Sequence, residues 1–372
     1  MSEGKQRKVC ITGGAGFIGS NAAHFFLQKG WEVVIFDNFR RNGAEKNLAW
    51  LKNDLSTGER LKVVRGDVTN EHDCTNLHKL MGEVDYVLHL AAQVAVTTSV
   101  LNPRDDFLNN AFGTLNLLEA IRLSSRRPAL IYASTNKVYG SLHGVLIEEL
   151  EKRYSFKNIQ AISEEQLLDF HSPYGCSKGS ADQYVRDYAR IYELETIVCR
   201  QSCIYGPRQF GVEDQGWAAW FMIAAATGKD ITIYGNGKQV RDLLYIDDLV
   251  ELYSALFDSI KHFRGRVFNV GGGPMNTLSL IEFIGLLEDK IGKPLRYKKA
   301  KERPGDQPIY VSDVSLLKNE VGWQPKVAVS EGIEKLWQWV YSNQSLFDEA
   351  LVYNKPDGLI RTTSKFLPRE ED

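Results

Sequence analysis

The sequence predicts an α/β fold, a doubly wound parallel sheet with a smaller, interleaved α/β domain, and two observations carry that expectation. Over roughly the first 200 residues, short apolar β-branched runs alternate with amphipathic helical stretches of about 10–15 residues. That rhythm belongs to parallel strands joined by right-handed crossovers. Beyond residue 205 it breaks into aromatic, turn-rich segments that still hold isolated strand and helix patterns.

Taken in order, "KVCITGG" reads as a strand, 18–29 as a helix and "WEVVIFDN" as the next strand. "LKVVRGDV" and "VDYVLHLAA" are strands flanking a helix around 71–81, and a helix near 105–124 leads into the strand of "ALIYASTNKVYG". Ser172-Pro173 open a further helix, and "ETIVCRQSCIYG" closes the regular part. "GPRQFGVEDQGWAAWF" then reads as loop, and "YGNGKQVRDLLYIDDLV" as turn signals followed by a helix. "RVFNVGGG" is a strand and "TLSLIEFIGLLEDKIG" a strongly periodic helix. The expected division is 1–200 for the sheet domain, with late contributions from about 236–272, then 201–342 for the second domain. Residues 343–372 read as a loosely attached tail.

Composition narrows the class. At 372 residues, 43% hydrophobic, 25% charged and with net charge −2, the chain reads as an ordinary globular protein. It has no basic footprint for nucleic acid or an anionic membrane. "MSEGKQRK" lacks a signal-peptide core, and no apolar run reaches bilayer length. Cys10, Cys74, Cys176, Cys199 and Cys203 form an odd, scattered set, which suggests reduced thiols and a cytoplasmic protein. Without ligand-spaced His/Cys clusters, no metal site is expected.

The chemistry starts at "VCITGGAGFIGSN". Gly13, Gly16 and Gly19 stand between a strand and a helix, where glycine permits the tight turn, the approach of a pyrophosphate and close helix–sheet packing. The helix N-terminus then faces the phosphates, with Phe17 and Ile18 in its first turn. Asp37, followed by Asn38, ends the second strand where a carboxylate can bind both ribose hydroxyls. It would repel a 2′-phosphate and so favour NAD, whereas Arg40 and Arg41 leave NADP open. Asp67-Val68 would flank the adenine. Leu90, Ala91, Ala92 and Gln93 end the fourth strand, where the small residues let the cofactor pass closely. Asn110, Thr135, Tyr174 and Lys178 fall at or near the carboxyl ends of later strands, the place where open α/β sheets bind ligands. Tyr174 and Lys178 are one helical turn apart, and an ammonium there can lower the phenol toward neutrality for acid–base work. Trp217 and Trp220 read as core rather than base-stacking residues.

These residues resemble the extended short-chain dehydrogenase/reductases that act on nucleotide sugars, with a Rossmann-type sheet. The match spans roughly 8–340, through GxxGxxG, Asp37, Asp67-Val68, "LAAQ", Asn110 with "GT", "STxxVYG" at 134–140, YxxxK at 174–178, "YGP" and "RPGD". The resemblance implies Thr135, Tyr174 and Lys178 as catalytic residues and bound NAD. Dehydratases of this family carry Asp-Glu after the threonine, whereas this chain has Asn136-Lys137, which disfavours water elimination. "STNKVYG", "LLDFHSPYGCSKG", "ADQY", "DQGW" and "GNGKQVRD" are similar to the CDP-paratose (CDP-tyvelose) 2-epimerases. That likeness implies transient oxidation at C2 of a CDP-sugar. Asn136, Gln209, Arg241, Arg303 and Asp306 are the implied substrate contacts, the arginines for the diphosphate. A nucleotide-sugar 4-epimerase or a non-catalytic dinucleotide sensor are the alternatives, and a homo-oligomer, dimer or tetramer, is expected.

Overall fold

The computed structural model describes residues 6–54, 58–303 and 305–348. Its strands run β1 Lys8–Thr12, β2 Glu32–Asp37, β3 Leu61–Arg65, β4 Tyr86–His89, β5 Ala129–Thr135, β6 Ile147–Glu149 and β7 Tyr154–Phe156. They continue as β8 Thr196–Gln201, β9 Cys203–Tyr205, β10 Ile231–Tyr234, β11 Val240–Tyr245, β12 Arg266–Val270, β13 Thr277–Ser279, β14 Tyr297–Ala300 and β15 Ile309–Tyr310. The helices begin with α1 Phe17–Gln28, α2 Ala44–Asn53, α3 Glu71–Met81, α4 Val96–Leu101, α5 Pro103–Phe107, α6 Gly113–Leu123 and α7 Ser172–Ile191. After them come α8 Trp217–Thr227, α9 Ile246–Asp258, α10 Leu280–Ile291, α11 Ser315–Glu320, α12 Val329–Ser342 and α13 Ser345–Asp348.

Seven strands form the main sheet in the order β3-β2-β1-β4-β5-β8-β12, and every pairing in it is parallel. Apolar runs such as Val33–Phe36 and Leu130–Tyr132 are buried because helices cover both faces. The order reverses between β1 and β4, so the carboxyl ends of those strands open a crevice. The glycine loop, Asp37, Thr135, Tyr174 and Lys178 all border it.

The second lobe is a small mixed sheet, in which β11 pairs β13, β15 and β9, with β10 and β14 beside it. Trp217 and Trp220 on α8 are half-buried and pack against the apolar core, and Trp217 also lines a cavity, so the expected core role holds for it only in part. Three boundaries differ from the sequence reading. Residues 240–245, read as turn and helix, form β11 in the second sheet, so the late contribution to the first lobe starts at α9 and ends with β12. Residues 147–156 join the second lobe. Their β6–β7 hairpin is held by Tyr154 N donating to Lys238 O (2.9 Å) and by Arg153 Nη2 donating to Thr277 Oγ1 (2.8 Å). The expected tail begins as structure: α13 buries Phe347 against Phe210 and Trp339, and the rest of 343–372 lies outside the described residues from 349 onward. Each difference has one cause, long-range pairing that no local pattern encodes.

The helix expected over 105–124 is two helices joined by a π-helical segment, Leu108–Phe112, which turns Asn110 inward. No helix among the described residues is long and apolar enough to cross a membrane.

Candidate active site

The glycine turn is dictated by space. Gly13 has φ +68°, and a Cβ there would come within 2.8 Å of Ala91 N. A Cβ on Gly19 would stand 2.3 Å from Gly13 O, so α1 packs against its own approach loop only without a side chain. The α1 N-cap is Gly16, with no side-chain cap, so the first N–H groups remain available to an anion. Asp37 accepts from Ala15 N (2.9 Å) and Phe39 N (2.7 Å), which fixes its carboxylate beside the loop. Burial raises its pKa, partly offset by those two N–H groups.

A cavity of about 340 Å³ runs along this crevice. Gly13, Gly16, Phe17, Ile18, Gly19, Asp37, Asn38, Val68, Leu90, Ala91 and Ala92 line it, together with Thr135, Tyr174, Lys178 and Gln209. A pocket with a side-chain-free anion cradle and a fixed carboxylate beside it fits a dinucleotide. Arg40 turns away to Asp67 (3.5 Å), whereas Arg41, which the sequence reading weighed only against the 2′-phosphate, reaches the wall.

Three expected cofactor contacts behave otherwise. Asp67 accepts from Asn38 Nδ2 (3.0 Å) and from Thr69, and so holds the loop carrying Asn38 and Val68. Gln93 and Asn110 sit behind the wall. Gln93 N donates to Asn110 Oδ1 (2.8 Å), while Gln93 Nε2 and Asn110 Nδ2 both donate to Asp106 Oδ1 (2.8 and 3.1 Å). Their amides are committed to a buried carboxylate that sequence reasoning passed over. Its one sequence signal was an acid four residues before Asn110, on the same helix face.

At the reactive end, Pro173 starts α7 and places Tyr174, Ser177 and Lys178 on one face against β5. The expected lowering of the phenol by the ammonium is absent. Burial pushes Tyr174 up to about 12 and the Asp106 charge adds to this, while the Thr135 hydroxyl and the Arg41 charge pull it down. Lys178 is not among those charges; its amine donates to Ala133 O (2.6 Å) and lies 4.3 Å from the Tyr132 ring centre. Burial lowers Lys178 itself to about 7, against the charges of Asp182 and Asp106.

A second cavity of about 290 Å³ opens from the same point and shares Thr135 and Tyr174 with the first. Asn136, Lys137, Arg241, Arg303 and Asp306 line it. Asp306 is bound by Arg241 (2.6 Å) and faces Lys137 (3.7 Å), and Arg303 pairs with Asp214 (2.9 Å) while covering the Tyr234 ring at 3.8 Å. Burial, with Arg241 nearby, lowers Lys137 to about 8 despite Asp306. Three cations, Lys137, Arg241 and Arg303, therefore line a pocket that also contains the Thr135–Tyr174 pair.

The comparisons agree with this geometry. The family model described as GDP-mannose 4,6 dehydratase matches residues 10–336. The chain is 46% identical over 342 residues to a CDP-paratose 2-epimerase of Salmonella typhi, covering 90% of this chain and 99% of that protein. It is 30% identical to a dTDP-glucose 4,6-dehydratase of Escherichia coli, covering 92% of this chain and 96% of that protein. Among solved structures, UDP-glucuronic acid 4-epimerase from Bacillus cereus, in complex with UDP-glucuronic acid and NAD, superposes with TM-score 0.77 at 29% identity, covering 90% of this chain and 99% of that one. A dTDP-glucose 4,6-dehydratase from Streptomyces venezuelae with NAD bound gives TM-score 0.78 at 26% identity, with 92% and 99% covered. The chain belongs to the extended short-chain dehydrogenase/reductases, in the family of the GDP-mannose 4,6-dehydratase model.

Proposed function

We propose that this protein is an NAD-dependent epimerase that inverts C2 of a CDP-activated deoxyhexose, of the CDP-paratose to CDP-tyvelose type. The observation that carries the reading is the junction of a dinucleotide-shaped cavity and a cation-lined cavity at Thr135 and Tyr174. The first holds the cofactor through the glycine loop, Asp37 and the Leu90–Ala92 wall. When bound, NAD supplies the hydride acceptor for a sugar carbinol. Tyr174 takes the proton of that hydroxyl and returns it, and Thr135 holds the same oxygen by hydrogen bonding. Arg241 and Arg303 exchange their carboxylate partners for the diphosphate oxygens. The dehydratase reading is disfavoured, since Asn136 binds Gln307 (3.3 Å) and Lys137 lies beside Asp306, which leaves no carboxylic acid pair next to Thr135.

The 46% identity to a CDP-paratose 2-epimerase supports C2 and the cytidine nucleotide. The test is a panel of CDP-, UDP-, GDP- and dTDP-sugars, read by NMR for inversion at C2 and C4. The expected result is C2 inversion of a CDP-sugar, without deuterium entering C2 in D2O. Inversion at C4 alone, or substantial deuterium at C2, would defeat the reading. We place the protein in the cytoplasm as a homo-oligomer, with exposed Phe107, Phe112 and Tyr184 on neighbouring helices as the contact surface. A solution mass equal to one 42.1 kDa protomer would exclude this.

A further inference from the structure

Asp106 is a fully buried carboxylate with neutral hydrogen-bond partners. Ser177 Oγ donates to Oδ2, and Gln93 Nε2 and Asn110 Nδ2 donate to Oδ1. Among the described residues no cation lies within ion-pair distance of it. A buried charge held only by neutral donors is costly unless an opposite charge stands nearby. The opposite charge is on the next helix, where Lys178 follows Ser177 on α7 and the Asp106 charge acts on it. The same packing grips the start of α7 twice: Asp106 holds Ser177, and Ser99 Oγ accepts from Tyr174 N (3.1 Å).

We propose that Asp106 is a positioning residue for the acid–base pair, anchoring the first turn of α7 through Ser177 and acting as the counter-charge of the Lys178 ammonium. The other groups around that amine do not take this role. Asp182, one turn along α7, acts on Lys178 more strongly than Asp106 does, but its charge is already paired at 2.9 and 3.0 Å with Arg200 of β8. His89 of β4 lies between Thr12 and Thr114 hydroxyls, and burial holds it neutral, with a pKa of about 3. Tyr132 of β5 offers only its ring, and Tyr174 keeps its proton. Of the two carboxylates acting on the ammonium, Asp106 is the one with no cation of its own within ion-pair distance among the described residues.

The proposal rests on the reading of Tyr174 and Lys178 as the acid–base pair, so the experiment separates the two. Asp106→Asn retains the shape: the amide oxygen can accept from Gln93 and Asn110, while its NH2 donates to a rotated Ser177 hydroxyl. A carboxylate favours the ammonium, so its loss makes Lys178 release its proton at lower pH. In NMR of protein labelled at lysine Nζ, with the Lys178 signal assigned by its loss in Lys178→Met, the titration should move to lower pH in D106N. The alkaline limb of kcat/KM should move the same way, with activity on that limb down about tenfold, the scale of a one-unit displacement. An unmoved Lys178 titration in D106N overturns the proposal. If wild type inverts no nucleotide sugar, the epimerase reading fails while the NMR titration still decides the charge relation. Should D106N not fold, Ser177→Ala carries the test. It keeps the carboxylate, so turnover should fall with the Lys178 titration unmoved, and undiminished turnover would refute the anchoring.

Discussion

Replacing Arg200 by methionine isolates the most buried ion pair in the molecule's reactive half. The Arg200 and Asp182 side chains are 3% and 0% exposed, and the guanidinium meets the carboxylate through two bonds of 2.9 and 3.0 Å. A third bond runs from Arg200 Nη1 to Tyr139 Oη (3.1 Å), whose hydroxyl donates to Asn269 Oδ1 of β12 (2.7 Å). Arg200→Met leaves Asp182 buried with Ser134 and Gln183 as its only hydrogen-bond donors among the described residues. An uncompensated buried charge of this kind costs about 3–5 kcal/mol. With an unfolding entropy of about 2.1 cal/mol/K per residue, the 372 residues give roughly 0.8 kcal/mol/K. The thermal midpoint should therefore fall by about 4–6 °C, read by circular dichroism at pH 7. Because the cost comes from the stranded charge, the double variant Arg200→Met/Asp182→Leu should regain most of that loss. A single variant within about 1 °C of wild type, or a double variant no better than the single, would refute the reasoning.

Other expectations follow from the same geometry. Tyr174→Phe should lose about 10²-fold or more in turnover, the scale of a missing acid–base group, while purified protein keeps its dinucleotide; near-normal turnover would remove Tyr174 from its role. Gly19→Ala drives a methyl to 2.3 Å from Gly13 O, so the cradle must open, and the bound-dinucleotide content of the purified protein should collapse. Lys178 is lowered by burial from 10.5 to about 7, so between those values the unfolded chain binds the extra proton and stability rises with pH. Lys178→Met should therefore show a flatter rise of Tm between about pH 7 and pH 10 than wild type, and lack turnover. An unchanged Tm–pH slope would contradict the lowered pKa.

Much of the main sheet was legible because each of its strands is an apolar run between turn signals, as in β1, β2 and β8. The glycine loop and Asp37 were legible for a related reason: a tight turn into a helix and a strand-end carboxylate are local devices. The hairpin of 147–156 and β11 were less visible, since their partners lie in distant segments: Tyr154 meets Lys238, and Arg241 pairs with both Leu278 and Tyr310. Gln93 and Asn110 were misplaced because a motif specifies a position but not where an amide points. The π-helical turn aims Asn110 at Asp106 instead of the cavity.

By itself, the sequence determined the doubly wound class, the place of the dinucleotide cradle and the triplet Thr135, Tyr174 and Lys178. Apolar periodicity, glycine spacing and helical phase act over a few residues, so they can be read in one dimension. Only the tertiary structure decided how the triplet is charged. Burial raises Tyr174 and lowers Lys178, the Ala133 carbonyl accepts from the Lys178 amine, and Asp106 and Arg41 act on the phenol. Those terms depend on solvent exclusion and on distances between segments far apart in the chain, and the order of residues along the chain does not specify either.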